Sequence, residues 1–272
     1  MPFPFASTHY LLIDLDGVLY RGLSALDGAM EFIAWLRRRD IPFRLVTNNS
    51  TLTPGQYVEK LAHMGISVGR DEVFTSSLAT ALYLQQQGAT GQTVHAIGEE
   101  GLMRALQDAG MILSPDGADW VVSGLDRHVT YEQLSAAALA IEAGARFVGT
   151  NPDRSLPTEV GLAPGAGALQ AALAATTGVK PTVIGKPGPK MFELAMASMG
   201  SSADNTAMLG DRLDTDIEGA AAVGMASILV LTGVSTAEDL RRSDVQPGLV
   251  VRDLPELMRV WSEEPGAERP PK

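Results

Sequence analysis

Two aspartates one residue apart, Asp14 and Asp16, end the apolar run Leu11–Ile13 and are followed at once by Gly17. Charge is costly to bury unless it is paired or holds a metal. An apolar strand that stops in two acids and a glycine turn therefore reads as a site. The same kind of ending recurs. Phe43–Val46 runs into Thr47, Asn48 and Asn49; Thr182–Ile184 runs into Gly185 and Lys186; Ala207–Leu209 runs into Gly210 and Asp211, with Asp214 and Asp216 close behind. Carboxylates suit a hard cation, a hydroxyl and backbone N–H groups suit an anion, and lysine adds fixed positive charge. That combination fits phosphoryl transfer. Magnesium takes oxygen ligands and keeps positions for water and phosphate, and a carboxylate can attack phosphorus to form an aspartyl-phosphate.

These endings need elements to carry them. Gly28–Arg39 has the spacing of an amphipathic helix closed by arginines, and Pro54 opens another that runs through Met64 to Gly65. Strand, helix, strand, helix is the rhythm of a parallel sheet, whose strand ends point one way and can converge on a ligand. The alternation resumes with a strand at Val94–Ile97, a helix at Glu99–Ala109, a strand at Trp120–Val122 and a helix at Tyr131–Ala143. Phe147–Val148 then leads into Thr150-Asn151-Pro152-Asp153, and Pro164–Gly167 opens an alanine-rich helix ending near Gly178. A third block holds the strands at Thr182 and Ala207, helices at Met191–Met199 and Ile217–Val223, and strands at Ser227–Leu231 and Leu249–Val251. The tail from Glu263 has a disordered composition.

Composition narrows the function. The net charge of −11 over 272 residues argues against general nucleic-acid binding, which needs a basic footprint. It also means an anionic substrate requires local help from metal, lysine or backbone N–H groups. The chain has no cysteine, which excludes disulfides, thiolate metal sites and cysteine nucleophiles. The start MPFPFASTHY lacks a signal-peptide pattern and no apolar run reaches transmembrane length, so a cytoplasmic protein without membrane contact is expected. Gly165-Ala166-Gly167 lacks the remainder of a dinucleotide-binding fingerprint and reads as a tight helix entry. His9, His63, His95 and His128 have no metal-ligand spacing, no G-x-S-x-G is present, and Met191, Met196 and Met199 read as core.

With these residues in view, the sequence resembles the haloacid dehalogenase superfamily of phosphatases, in its NagD-like and p-nitrophenylphosphatase branch. The resemblance rests on DLDGVLYRG (Asp14–Gly22), VTNNS (Val46–Ser50), GKP (Gly185–Pro187), GDRLDTDI (Gly210–Ile217) and VLTGVST (Val230–Thr236). GLDRHVTYEQL and TNPDRSLPTEVGLAPGAGAL in the middle of the chain also match. The resemblance implies that Asp14 is the phosphorylated nucleophile and Asp16 the acid and base. It implies Mg2+ held by the Asp14 and Asp211 carboxylates and the Asp16 carbonyl, with Asp216 as an outer-shell or alternate acidic position. Thr47, Asn48 and Asn49 match the phosphoryl-binding loop, Lys186 the neutralising cation, and the Asn151–Asp153 turn a cap segment facing substrate. Asp214 stands where the branch varies, and a solvated or capping role suits it better.

The expected architecture is α/β: a doubly wound parallel-sheet core, residues 1–79 and 183–272, with an inserted α/β cap at 80–182 closing over the site. The expected activity is Mg2+-dependent hydrolysis of a small phosphate monoester. Sugar phosphates, pyridoxal phosphate, phosphoglycolate, glycerol phosphate and nucleotides all remain open as substrates, as does homodimerisation. A response-regulator-like phosphoacceptor would be about half as long and would lack the D-x-D strand end. A non-catalytic phospholigand-binding protein on the same fold is the other alternative, disfavoured because every catalytic position is filled.

Overall fold

The computed structural model describes residues 3–264. The rest of the tail expected to be disordered lies outside the described residues, and Glu263 itself closes a helix. In chain order the elements are β1 (Tyr10–Asp14), β2 (Tyr20–Arg21), β3 (Ser24–Ala25), α1 (Ala29–Arg38), β4 (Phe43–Thr47), α2 (Pro54–His63), β5 (Val73–Thr75), α3 (Ser76–Gln86), β6 (Thr93–Ile97), α4 (Glu100–Asp108), β7 (Ile112–Leu113), β8 (Trp120–Ser123), α5 (Tyr131–Glu142), β9 (Arg146–Gly149), β10 (Ser155–Thr158), β11 (Gly161–Pro164), α6 (Ala166–Thr177), β12 (Thr182–Val183), α7 (Pro189–Met199), β13 (Thr206–Gly210), α8 (Glu218–Ala222), β14 (Ala226–Val230), α9 (Ala237–Arg242), β15 (Leu249–Val251) and α10 (Leu254–Glu263). Contacts divide them between two compact units: Met1–Val46, Tyr57–Phe74 and Phe192–Lys272 in one, Thr47–Gln56 and Thr75–Met191 in the other. No helix among the described residues is long and apolar enough to cross a membrane.

The first unit is organised on a six-stranded sheet in the order β15-β14-β13-β1-β4-β5. Strand β1 reads Leu-Leu-Ile without alternation because both its faces are covered, and all three residues are fully buried. From β1 the chain builds outward to β4 and β5 on one side, then returns to build β13, β14 and β15 on the other. The parallel register Ile13↔Leu209 and Asp14↔Val46 sets the ends of these strands level. Away from the strand ends, Trp35 of α1 meets Trp261 of α10 edge-on at 5.5 Å, and Phe5 lies 5.1 Å from the same indole. Asp253 starts α10 by accepting the Glu256 N–H at 2.8 Å.

The second unit holds a five-stranded, all-parallel sheet in the order β12-β9-β8-β6-β7. Its core packs Ile97, Val121 and Phe147 against Ala137 and Ile141 of α5 and Leu173 of α6. The strand that precedes Lys186 belongs here: Thr182 and Val183 pair with Val148 and Gly149. The expectation that the Lys186 strand end shares one sheet with those of Asp14 and Asp211 is thus corrected. A two-residue strand carries too little pattern to select its sheet, and pairing with β9 selects it.

Most expected elements appear within two residues of their sequence bounds. The exceptions have physical reasons. Helix α3 buries Ser76, Ser77 and Thr80, so its inner face shows no apolar period. The hairpin β10–β11 leaves Leu162 and Val160 exposed, so no buried face marks it. The helix expected from Ile217 begins earlier, as a wide turn over Leu213–Ile217 that continues into α8. Helices α9 and α10 were not apparent from the sequence.

One buried group in the second unit makes stability depend on pH. His95 on β6 is buried, with Nε2 3.2 Å from the Gln133 carbonyl oxygen, which a neutral Nε2–H ring can donate to. Burial lowers its pKa below the usual 6.5, partly opposed by that carbonyl. The unfolded chain therefore binds a proton at higher pH than the folded one. The stabilisation is complete above the usual imidazole pKa and is lost as pH falls below it. Thermal unfolding between pH 7 and pH 5 should show Tm falling, with a shallower slope in His95→Gln; identical slopes would remove His95 as the cause.

Candidate functional site

In an open parallel sheet the crevice forms where the strand order reverses, outside the carboxyl ends of the strands. In the first unit that point lies between β1 and β13, and it holds the acids. Carboxylate oxygens of Asp14, Asp211 and Asp216 all lie within 4.8 Å of one another. Asp14 is 9% exposed, Asp211 1% and Asp216 0%. Three hard oxygen donors this close and this buried fit a hard divalent cation, which would cancel their mutual repulsion.

The local sequence explains how Asp211 is held. The Val234 N–H donates to its Oδ2 at 2.6 Å, the Ser235 N–H donates to its backbone carbonyl at 3.0 Å, and the Ser235 hydroxyl accepts the Leu213 N–H at 3.0 Å. Gly233 leaves no room for a side chain: a Cβ there would overlap the Asp211 carboxylate. Gly17, at φ +84°, would meet the same oxygen at 2.5 Å, so the glycine of the D-x-D-G turn supplies both the left-handed conformation and the clearance. Asp216 reaches the cluster because the wide turn after β13 folds back over Gly210, and its Oδ2 accepts the Arg212 N–H at 3.2 Å. Asp214, in the same turn, points outward to a salt bridge with Arg212 at 2.8 Å, the solvated role expected of it.

Asp16 lies in the loop past β1 and is exposed over much of its surface. Burial of its carboxyl still raises its pKa, opposed by the charges of Lys60 and Arg21. Burial lowers the Lys60 pKa in turn, and Asp16 raises it. Lys60 Nζ sits 4.0 Å from the centre of the Tyr20 ring. Sequence reading missed Lys60, which lies on α2 outside the strand-end motifs, and gave no role to Tyr20, which lies inside DLDGVLYRG.

The second unit brings together Asn48, Asn151, Asp153 and Lys186. The Asn48 side chain grips the backbone of Lys186 on both sides: Oδ1 accepts its N–H at 2.8 Å and Nδ2 donates to its carbonyl at 2.9 Å. Asn48 Nδ2 is also 3.4 Å from Asp153 Oδ1. Asn151 Nδ2 donates to the Asn48 carbonyl at 2.8 Å, and Asn151 Oδ1 accepts the Asp153 N–H at 3.1 Å. Thr47 Oγ1 accepts the Asn49 N–H at 3.2 Å, and Asn49 Oδ1 accepts both the Thr51 N–H and its hydroxyl at 2.8 Å. Lys186 is 3% exposed. The tight helix entry expected at Gly165–Gly167 is present: the Gly167 N–H donates to the Asp153 carbonyl at 2.8 Å. Gln170 was also missed. Its signal was a lone polar residue at buried spacing between Ala166 and Leu173 of α6.

A parallel α/β fold with an acid cluster at its reversal point defines a class, and comparison with known proteins agrees. A haloacid dehalogenase-like hydrolase family model matches residues 11–112, and a HAD-hydrolase-like model matches residues 183–257. The chain is 47% identical over 249 residues to the acid sugar phosphatase of Staphylococcus epidermidis, covering 90% of this chain and 96% of that protein. The crystal structure of a double mutant thermostable NPPase from Geobacillus stearothermophilus is 43% identical. It matches with a TM-score of 0.86 over 91% of this chain and 97% of that one. NagD from E. coli is 31% identical, with a TM-score of 0.87 over 92% and 98%. The chain belongs to the haloacid dehalogenase superfamily, in its NagD-like phosphatase branch. It is a phosphoric monoester hydrolase of that type.

The glycine packing gives a test. Gly233→Ala should displace the Asp211 carboxylate and weaken divalent-cation binding by about 10- to 100-fold, as for other groups that orient a metal ligand. Calorimetric titration with MgCl2 on folded protein would read it, and unchanged affinity would show that Asp211 Oδ2 is not needed for the cation.

Proposed function

We propose that the chain hydrolyses small phosphate monoesters, sugar phosphates foremost, with Mg2+ and through a phosphorylated Asp14. The observation that carries this reading is the buried Asp14, Asp211 and Asp216 cluster at the sheet's reversal point, with Asp16 two residues beyond Asp14. Asp14, Asp211 and the Asp16 carbonyl would hold Mg2+, with Asp216 as a direct or water-bridged partner. The cation supplies charge neutralisation for the phosphoryl group and the attacking carboxylate.

The residues then divide the work. An Asp14 oxygen attacks phosphorus as the bond from phosphorus to the ester oxygen breaks, and protonated Asp16 gives its proton to that leaving oxygen. Asp16, now a carboxylate, takes a proton from water as the water oxygen attacks phosphorus. The bond to Asp14 breaks and inorganic phosphate leaves. The raised pKa of Asp16 suits an acid that must hold its proton at higher pH than an ordinary carboxyl. The Thr47 hydroxyl, the Asn48 N–H and Lys186 would supply the donors and positive charge that a phosphate dianion requires.

Substrate choice is assigned to the insertion expected at residues 80–182, and within it to the Asn151–Asp153 turn. Sugar phosphates lead because the 47%-identical relative is an acid sugar phosphatase. The cytoplasm is the compartment proposed for a phosphatase of small metabolites.

Turnover of p-nitrophenyl phosphate should disappear in Asp14→Asn, because an amide neither attacks phosphorus nor holds the cation. It should also disappear in EDTA and return with Mg2+. Near-normal rates in folded Asp14→Asn, or in verified metal-free enzyme, would defeat the mechanism. Asp153→Ala should lower kcat/KM on a sugar phosphate more than on p-nitrophenyl phosphate; an unchanged ratio would move specificity elsewhere in 80–182.

A further inference from the structure

We infer that three amide side chains, Gln170, Asn151 and Asn48, form a positioning relay whose output is the backbone of Lys186. The inference rests on the phosphoryl role proposed for Lys186 and gives the amides a different task from contacting substrate. Gln170 Nε2 donates to the carbonyls of Ser123 at 3.1 Å and Asn151 at 2.9 Å. That ties α6 to the ends of β8 and β9. Asn151 Nδ2 donates to the Asn48 carbonyl at 2.8 Å and to Thr150 Oγ1 at 3.2 Å. Ser76 Oγ donates to the same Asn48 carbonyl at 2.6 Å, so the peptide after Asn48 is held from two directions. The Asn48 amide then closes on both the N–H and the carbonyl of Lys186.

The chemistry suits amides. An amide carries donor and acceptor on two atoms of one short, planar end and so reaches the N–H and the C=O of one residue together. A carboxylate in place of Asn48 would accept the N–H and repel the carbonyl. An apolar side chain would leave both buried groups without partners. The surroundings are shaped to the amides. A Cβ on Gly149 would overlap the Gln170 amide, and one on Gly185 would lie 2.7 Å from Asn48 Oδ1 and 2.6 Å from the Thr150 carbonyl. Gln170 and Asn151 are each 3% exposed, and Gln170 donates to two carbonyls at once. With the peptides on both sides of Lys186 fixed, the direction of its Cα–Cβ bond is fixed, and so is the starting point of the chain that carries the ammonium. A charge on a long, flexible stem is most useful where the stem's base cannot move.

The relay predicts coupling between Gln170 and Lys186. Hydrogen exchange of the Lys186 amide should accelerate in Gln170→Leu and in Asn48→Ala, with amides of β6 unchanged. On p-nitrophenyl phosphate with Mg2+, Gln170→Leu should lower kcat/KM about tenfold in the wild-type background and less than about twofold alongside Lys186→Met, the non-additivity of groups acting as one unit. Inorganic phosphate inhibition should weaken in the same pattern. Equal fold losses in both backgrounds would reduce the relay to general stabilisation, and an unchanged Lys186 amide in both single variants would overturn it. Asn48→Ala keeps the test open should Gln170→Leu fail to fold. A Lys186→Met enzyme as active as wild type would instead defeat the phosphoryl role of Lys186, while the exchange data would still judge the relay.

Discussion

Three carboxylates whose oxygens lie within 4.8 Å of one another set the terms for the first unit. Like charges that close repel strongly, and burial removes the water that would screen them. The arrangement persists only if the backbone brings the acids together and a positive charge relieves them. The first condition is visible in the sheet. Strand β1 sits at its centre, β13 lies beside it in register, and chain reversal at that point leaves an open crevice. Gly17 and Gly233 are small because the Asp211 carboxylate fills the space their side chains would need. The wide turn after β13 is the other half of the device, since it buries Asp216 while Asp214 faces Arg212 in solvent.

The second unit solves a different problem, which is how to hold a buried lysine and two polar loops without burying unsatisfied backbone. It does so with amides. Its sheet also reverses, between β6 and β8, where a ligand crevice would be expected. There the chain places its own segment after Thr47. The Gly101 N–H donates to the Thr51 carbonyl at 2.9 Å, and the Ser77 hydroxyl donates to the Ser50 carbonyl at 2.8 Å. Gly101 has no space for a Cβ beside the Leu52 carbonyl. The segment carrying Asn48 and Asn49 is therefore ordered by strand ends and helix starts that come later in sequence. Backbone groups satisfied in this way cost little to bury, whereas the same groups left open would be expensive.

Electrostatics divides along similar lines. The chain is acidic overall, yet the cations near the site motifs are few and specifically seated. Lys60 lies against the Tyr20 ring beside Asp16, and Lys186 is buried within the amide network. Some of the acidic charge elsewhere is paired locally, as where Arg127 meets Glu99 at 2.7 Å and Arg252 meets Glu256 at 3.1 Å. Exposed pairs of this kind contribute little to stability.

The sequence by itself determined the α/β rhythm and the polar strand ends. Buried parallel strands read as short apolar runs, so the residue where each run stops is conspicuous. Asp14, Thr47 and Asp211 stand at such stops, Lys186 follows the short and less buried Thr182–Val183 strand, and the motifs around all four suffice to indicate the superfamily. Only the tertiary structure decided that Thr182–Val183 pairs with β9 and that the Asn48 side chain serves Lys186, and it showed how the separation of Asp216 from Asp214 implied by the motif is achieved. Asp214 and Asp216 are the same residue type two positions apart, and a turn of unusual width separates their fates. Asn48 and Lys186 are 138 positions apart, and Gln170 meets the Ser123 carbonyl across 47. Periodicity and turn chemistry are local signals, read over a few residues. The choice of hydrogen-bond partner for a buried polar group depends on sheet register and on which distant carbonyl is otherwise left open, and that information exists only once the strands have paired.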